Sequence, residues 1–142
     1  MKKILLYAVG CVVIALCVVC YFVFTQAQEC KNERDKISGC VEKEYDENGN
    51  LESEFPYKNG ERHGVAKEYY GNGNLMRETP FENGEQHGVV KAYYENGNLQ
   101  AQVTYENGSV VSGVCGDGKK IPNIQGLGYW DIGKQIFEIC KE

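Results

Sequence analysis

The sequence predicts an all-β protein, a tandem β-hairpin antiparallel meander of about six strands preceded by an N-terminal hydrophobic helix. Three observations carry that expectation. Asn-Gly occurs at Asn48-Gly49, Asn59-Gly60, Asn72-Gly73, Asn83-Gly84, Asn96-Gly97 and Asn107-Gly108, at separations alternating between 11 and 13 residues. Segments 41–64, 65–88 and 89–113 are copies of one unit (VEKEYDENGNLESEFPYKNGERHG, VAKEYYGNGNLMRETPFENGEQHG, VVKAYYENGNLQAQVTYENGSVVSG), the last longer by one residue. A period of this length marks a repeat architecture. Between the Asn-Gly pairs, apolar and polar residues alternate with the period of a half-buried strand.

Four regions follow: 1–27, a linker or N-terminal cap over 28–40, the three repeats over 41–113, and a C-terminal cap over 114–142. Ile4 to Phe24 is a run of 21 residues without a charge, preceded by Lys2 and Lys3, and roughly 20 apolar residues span a bilayer as a helix. This favours an uncleaved signal-anchor. A signal peptide cut near Ala27 is the alternative, but its apolar core is ordinarily about 7 to 15 residues. A lipoprotein cut before Cys11, Cys17 or Cys20 fits less well. Leu16 and Val19 are bulky, and the run before Cys11 is short. In every reading the two lysines stay in the cytoplasm and the rest is exported. The expected location is the inner membrane, facing the periplasm or cell exterior, with a secreted or periplasmic form as the alternative.

Setting Lys2 and Lys3 aside leaves 13 basic and 20 acidic residues, a net charge of −7. Nucleic acid and anionic headgroups both need a basic footprint, so neither is expected as the main ligand of the exported part. Cys11, Cys17 and Cys20 lie in the apolar run, which leaves Cys30, Cys40, Cys115 and Cys140. Four cysteines in an exported domain read as disulfides rather than as a metal site, because no CxxC or Cys-His cluster is present. Six strands about 4.8 Å apart separate Cys40 from Cys115 by roughly 25 Å, whereas a disulfide needs Cα atoms within about 7 Å. The favoured pairs are Cys30–Cys40 and Cys115–Cys140, one stapling each end of the array.

Within each unit the pattern is strand, turn, strand, turn, with Asn-Gly in type I′ turns whose central residues both need positive φ. Gly64, Gly88 and Gly113 follow the second turns. Along the second strand, Leu51, Phe55, Tyr57, Leu75, Phe81, Leu99, Val103 and Tyr105 share one face with Ser53, Arg77, Thr79 and Ala101. Such a face must be covered, twisted into a groove, or offered to a partner. The candidate lids are 31–38 and the tail 118–142, where Ile132, Ile136 and Ile139 at helical spacing, with Trp130 and Phe137, suggest a short helix on the last hairpin. The stretch IFEIC fits a strand nearly as well.

Candidate partner-binding residues come from the aromatic load. Tyr70 and Tyr94, beside Tyr69 and Tyr93 but on the opposite face, are expected to be exposed; Phe81 and Tyr105 are further candidates. The ladder Lys43, Lys67, Lys91 is expected to cover the apolar face with its stems. His63 and His87 hold equivalent turn positions, and the third unit lacks a matching ligand. No Ser-His-Asp or Cys-His arrangement and no phosphate-cradling glycine loop occurs, so neither an enzyme nor a cofactor is expected.

The unit YxNGxL…YxNGxxxG resembles the MORN repeat, and more closely the bacterial MORN-variant repeat, over 41–113. The usual unit is about one residue shorter and reads YxGxW, where this chain has Phe55-Pro56-Tyr57 and Thr79-Pro80-Phe81. The resemblance implies a twisted sheet of tandem hairpins that acts as a scaffold or interaction surface without catalytic residues. Some bacterial members carry an antitoxin label. The expected function is therefore an exported or membrane-tethered protein-binding module, with an antitoxin or immunity protein that occludes a toxin as the alternative.

Overall fold

The computed structural model describes residues 28–141 apart from 123, 126 and 128. The hydrophobic helix and membrane anchor expected at 1–27 lie outside the described residues. Among the described residues no helix is long and apolar enough to cross a membrane.

One antiparallel sheet contains nine strands: β1 (Cys40–Tyr45), β2 (Leu51–Lys58), β3 (Glu61–Arg62), β4 (Gly64–Tyr69), β5 (Leu75–Glu82), β6 (Glu85–Gln86), β7 (Gly88–Tyr93), β8 (Leu99–Glu106) and β9 (Ser109–Cys115). Their order is β1-β2-β4-β5-β7-β8-β9, with the two-residue arms β3 and β6 folded back on β2 and β5. Two helices flank the sheet, α1 (Glu33–Ser38) and α2 (Tyr129–Ile139). The expected six strands undercount it. After Asn107-Gly108 the chain runs on as β9, which fuses a short arm with the first strand of an incomplete fourth unit. In the first two units Gly64 and Gly88, at φ +108° and +106°, separate arm from strand, and a Cβ there would meet the Pro56 or Pro80 ring at 3.3 Å. Gly113 is not in that conformation; a Cβ there would fall 2.8 Å from Ile124 Cδ1, so this glycine makes room for the tail.

The six Asn-Gly turns are of two kinds. Asn59, Asn83 and Asn107 have φ of 55°, 50° and 48°, followed by left-handed glycines, as a type I′ turn requires. At 48–49, 72–73 and 96–97 only the glycine has positive φ. These are longer loops in which a backbone amide bonds back three residues, Gly49 to Asp46, Gly73 to Tyr70 and Gly97 to Tyr94. The side-chain oxygens of Asp46, Asn72 and Asn96 accept from the amides of Asn48, Asn74 and Asn98. That local bonding holds the asparagine outside the left-handed region. Alternation of a two-residue and a longer loop accounts for the 11 and 13 spacing.

Register puts Ser53, Phe55, Tyr57, Ala66, Arg77, Thr79, Phe81, Val90, Ala101, Val103 and Tyr105 on one face, termed inner. Its apolar core lies at the C-terminal end, where Val90, Ala101, Val103, Tyr105, Val110 and Cys115 cluster with Ile121, Ile124, Ile132 and Cys140. Ile136, Ile139 and Leu127 pack against this cluster. The tail therefore folds as a helix rather than a strand over its Ile-rich stretch, although the side chains of Trp130 and Phe137 lie outside the described residues. The two disulfides pair as expected, Cys30 with Cys40 and Cys115 with Cys140, at Cα separations of 5.1 and 5.3 Å. Each staples a segment to an outer strand. Cys30 N–H and Val41 N–H bond across β1 to Val41 and Gln28 oxygens, and Ile121 N–H bonds to Gly113 O of β9. Both sheet edges are thus partly paired, which blunts edge-to-edge association.

Candidate binding trough on the inner face

The outer face is a polar lattice. Register aligns Lys43, Glu54, Lys67, Glu78, Lys91 and Gln102 in one row across six strands. Lys43 Nζ lies 3.2 Å from Glu54, and Lys91 Nζ lies 3.8 Å from Glu78. Tyr69 and Tyr93 donate to the same two carboxylates at 2.9 and 3.0 Å. Burial first, then the Glu54 hydrogen bond, pushes the Tyr69 pKa up to about 12. The lysine ladder therefore does not cover the apolar face as expected. Strand alternation places it on the opposite face, where cross-strand acids pair with it beside the exposed Tyr45, Val65 and Val89. Opposite charges facing each other in such a row stabilise register.

The inner face carries helices at both ends. The first, α1, has a capping box, in which Arg34 N–H donates to Asn32 Oδ1 and Asn32 N–H to Asp35 Oδ2. Its Lys36 stands over the Tyr57 ring at 4.5 Å and pairs with Glu42 at 2.9 Å and Glu33 at 3.1 Å. The Glu42 hydrogen bond, then that of Glu33, holds the Lys36 ammonium well above the usual lysine range. Reciprocally, the Lys36 hydrogen bond is the main cause lowering the Glu42 carboxyl. Glu42 therefore holds its proton less tightly in the folded chain than in the unfolded one. Its contribution is complete above the ordinary glutamate pKa and disappears as pH falls through the lowered folded value. Acidification is expected to release α1 in that window. Amide signals of residues 33–38 followed against pH would record it, and Glu42→Gln should remove the pH dependence.

Between α1 and α2 the inner face of the first two repeats is an open trough. Phe55, Arg62, Ala66, Glu68, Thr79 and Phe81 line a cavity of about 310 Å³ there. The Arg62 guanidinium lies 4.2 Å from the Phe55 ring and 5.5 Å from the Phe81 ring, a stacked arrangement that fixes the plane of the cation. Glu68 and Arg77 form an ion pair on the trough floor, with Nε 2.7 Å from Oε2. Ser53 donates to Glu44 at 2.7 Å.

The repeat makes covered and open positions directly comparable. Where α2 covers the sheet, the third unit presents Ala92, Ala101, Val103 and Val110. The equivalent positions of the first two units hold Glu44 and Glu68, Ser53 and Arg77, Phe55 and Thr79, and Arg62 and Gln86, of which Ser53 and Thr79 are buried. At these four positions the third unit is small and apolar, whereas the first two units hold charged, polar or phenyl side chains; at the adjoining position all three units carry a ring, Tyr57, Phe81 and Tyr105.

The residues expected to meet a partner are placed differently by the fold. Tyr70 and Tyr94, expected exposed, are half-buried. Tyr70 Oη donates to Tyr93 O at 2.7 Å, tying one unit to the next, and Tyr94 Oη donates to Cys140 O, tying the third unit to the C-terminal cap. Strand alternation does not extend to them because each starts a loop. Tyr105 is only 5% exposed and belongs to the core. Phe81 alone of the four lines the trough. Arg62 escaped sequence reasoning. The signal available was its variation among equivalent positions, Arg62, Gln86 and Val110, within an otherwise repeated unit. His63 and His87 share one backbone role, their N–H groups donating to Pro56 O and Pro80 O.

Comparison with known proteins agrees with this geometry. The MORN repeat variant matches residues 41–59, 62–83 and 86–107. No curated protein and no solved structure matches the chain. Each match covers one long-loop hairpin, and the breaks between matches fall at the two-residue turns before β3 and β6; residues 41–107 are three tandem repeats of the MORN-variant kind.

Proposed function

We propose that this protein is a non-catalytic binding module that holds a protein partner in the trough between α1 and α2. One observation carries the reading: where the third unit has the small apolar Val103 and Val110 under α2, the first unit keeps Phe55 and a stacked Arg62, beside the Phe81 ring of the second. Aromatic residues and arginine are the side chains that anchor interfaces. A MORN-repeat scaffold is consistent with such a role. The two disulfides support an oxidising, extracytoplasmic setting, and the apolar run at 4–24 supports tethering of the module there.

Photo-crosslinking from defined positions in the native host tests the proposal. A crosslinker at Phe81 should give a discrete adduct with a second protein, and one at Val89 on the outer face should not. Identical adduct patterns from the two positions, or none from either, would overturn the trough as the binding surface.

A further inference from the structure

The glycine amides of the two-residue turns reveal an internal correspondence. Gly60, Gly84 and Gly108 donate to the backbone oxygens of Lys36, Arg62 and Gln86 respectively. Lys36, at the end of α1, thus stands to the first repeat as Arg62 stands to the second. The correspondence extends to the side chains. Lys36 lies over Tyr57 as Arg62 lies over Phe81, and Tyr57 and Phe81 are equivalent in the two units.

The difference lies in the counter-charge. Glu42, opposite Phe55, supplies the carboxylate that pairs with Lys36 at 2.9 Å. The equivalent residue opposite Thr79 is Ala66, which is 3% exposed and brings no charge. Among the described residues no carboxylate lies within ion-pair distance of Arg62. Glu68, the acid lining the same cavity, is engaged by Arg77. In the third unit the pair becomes Gln86 and Val90, and the cation is gone. The array therefore presents one cation paired within the chain and one stacked cation whose equivalent acid is missing.

Resting on the reading of the trough as a partner site, we propose that the missing acid comes from the partner. An apolar segment of a second protein places an Asp or Glu carboxylate on Arg62, in the role that Glu42 plays for Lys36. The guanidinium, fixed between Phe55 and Phe81, offers its edge for bidentate pairing. Neighbouring apolar side chains of that segment rest on the two rings. A protein segment suits the site better than a lipid surface. The trough is recessed between two helices, each about 10 Å across with its side chains, and a flat bilayer does not reach its floor.

The test uses the full-length protein and an acetylated, amidated amphipathic peptide. The peptide has leucines at i, i+3, i+4 and i+7 and one glutamate on that stripe; a second peptide differs only in carrying glutamine there. The glutamate peptide should perturb the amide signals of the Arg62 region at a concentration about tenfold lower than its glutamine twin, the advantage of a charge-assisted pair. Arg62→Gln should erase the difference. Ala66→Glu should erase it by supplying the acid within the chain, as Glu42 does one unit earlier. Because Ala66 is buried, Arg62→Gln stands as the independent check if Ala66→Glu does not fold. Equal binding of both peptides in the trough overturns the carboxylate assignment and leaves the partner surface standing. Arg62-dependent binding of phosphatidylglycerol vesicles with neither peptide binding assigns the anion to a headgroup and overturns the proposal. Silence of the trough toward peptides and vesicles, together with absent Phe81 crosslinks, overturns both readings.

Discussion

Replacing Cys115 and Cys140 together by alanine is expected to destabilise the domain by about 3.5 kcal/mol, the loop-closure value for a span of this length, and to lower its melting temperature by roughly 15 °C or more. The bridge spans 25 residues, and within them lie Ile121, Ile124 and Ile132, which complete the core over β7–β9. Without the covalent closure the helix is held by its isoleucine contacts and by the bond from Tyr94 Oη to Cys140 O. The loss should be localised, because a repeat array is stabilised between neighbours rather than globally. Hydrogen exchange should accelerate over residues 129–139 and β9 while β1, β2 and β4 keep their protection. Equal acceleration across all strands would mean that the array unfolds as one unit and that the cap is not a separate layer. The Cys30–Cys40 bridge closes only 10 residues and contributes less in the same treatment, about 2.8 kcal/mol.

The fold was readable in the sequence to the extent that its determinants are local. Asn59-Gly60, Asn83-Gly84 and Asn107-Gly108 set two-residue turns by backbone preference alone, so their positions and type follow from the dipeptide. The other three dipeptides look identical but sit in longer loops, because the side-chain oxygens of Asp46, Asn72 and Asn96 capture backbone amides. The disulfide pairing was legible because strand spacing is nearly constant. Face assignment succeeded along β2, β5 and β8, where the period is two; the exposure expected of Tyr70 and Tyr94 failed, because their hydroxyls are drawn in to Tyr93 O and Cys140 O. The trough was the least legible part. It depends on which stretch of an almost uniform sheet the tail covers, a long-range outcome that no local pattern encodes. Only the departures from repetition point to it, such as Ala66 where Glu42 stands one unit earlier.

Those departures also predict which substitutions the array tolerates. Ala101→Arg is expected to cost about 3 to 5 kcal/mol, the range for an uncompensated charge in a buried position, although arginine is the native residue at the equivalent Arg77. At Arg77 the trough is open, and Glu68 accepts the guanidinium across the β4–β5 register. At Ala101 the cross-strand neighbour is Ala92, and the side chain is 1% exposed beneath the C-terminal cap. The incoming arginine must displace α2 or remain unpaired, so protection of residues 132–139 against hydrogen exchange should fall together with the melting temperature. Adding Ala92→Glu recreates the acid and base of the second unit, and it should restore the strands' stability without restoring α2, whose apolar seat is then gone. A melting temperature within about two degrees of the parent for Ala101→Arg, well inside the shift that 3 kcal/mol implies, would show that α2 does not cover this position. The contrast between open and covered repeats would then lose its physical basis.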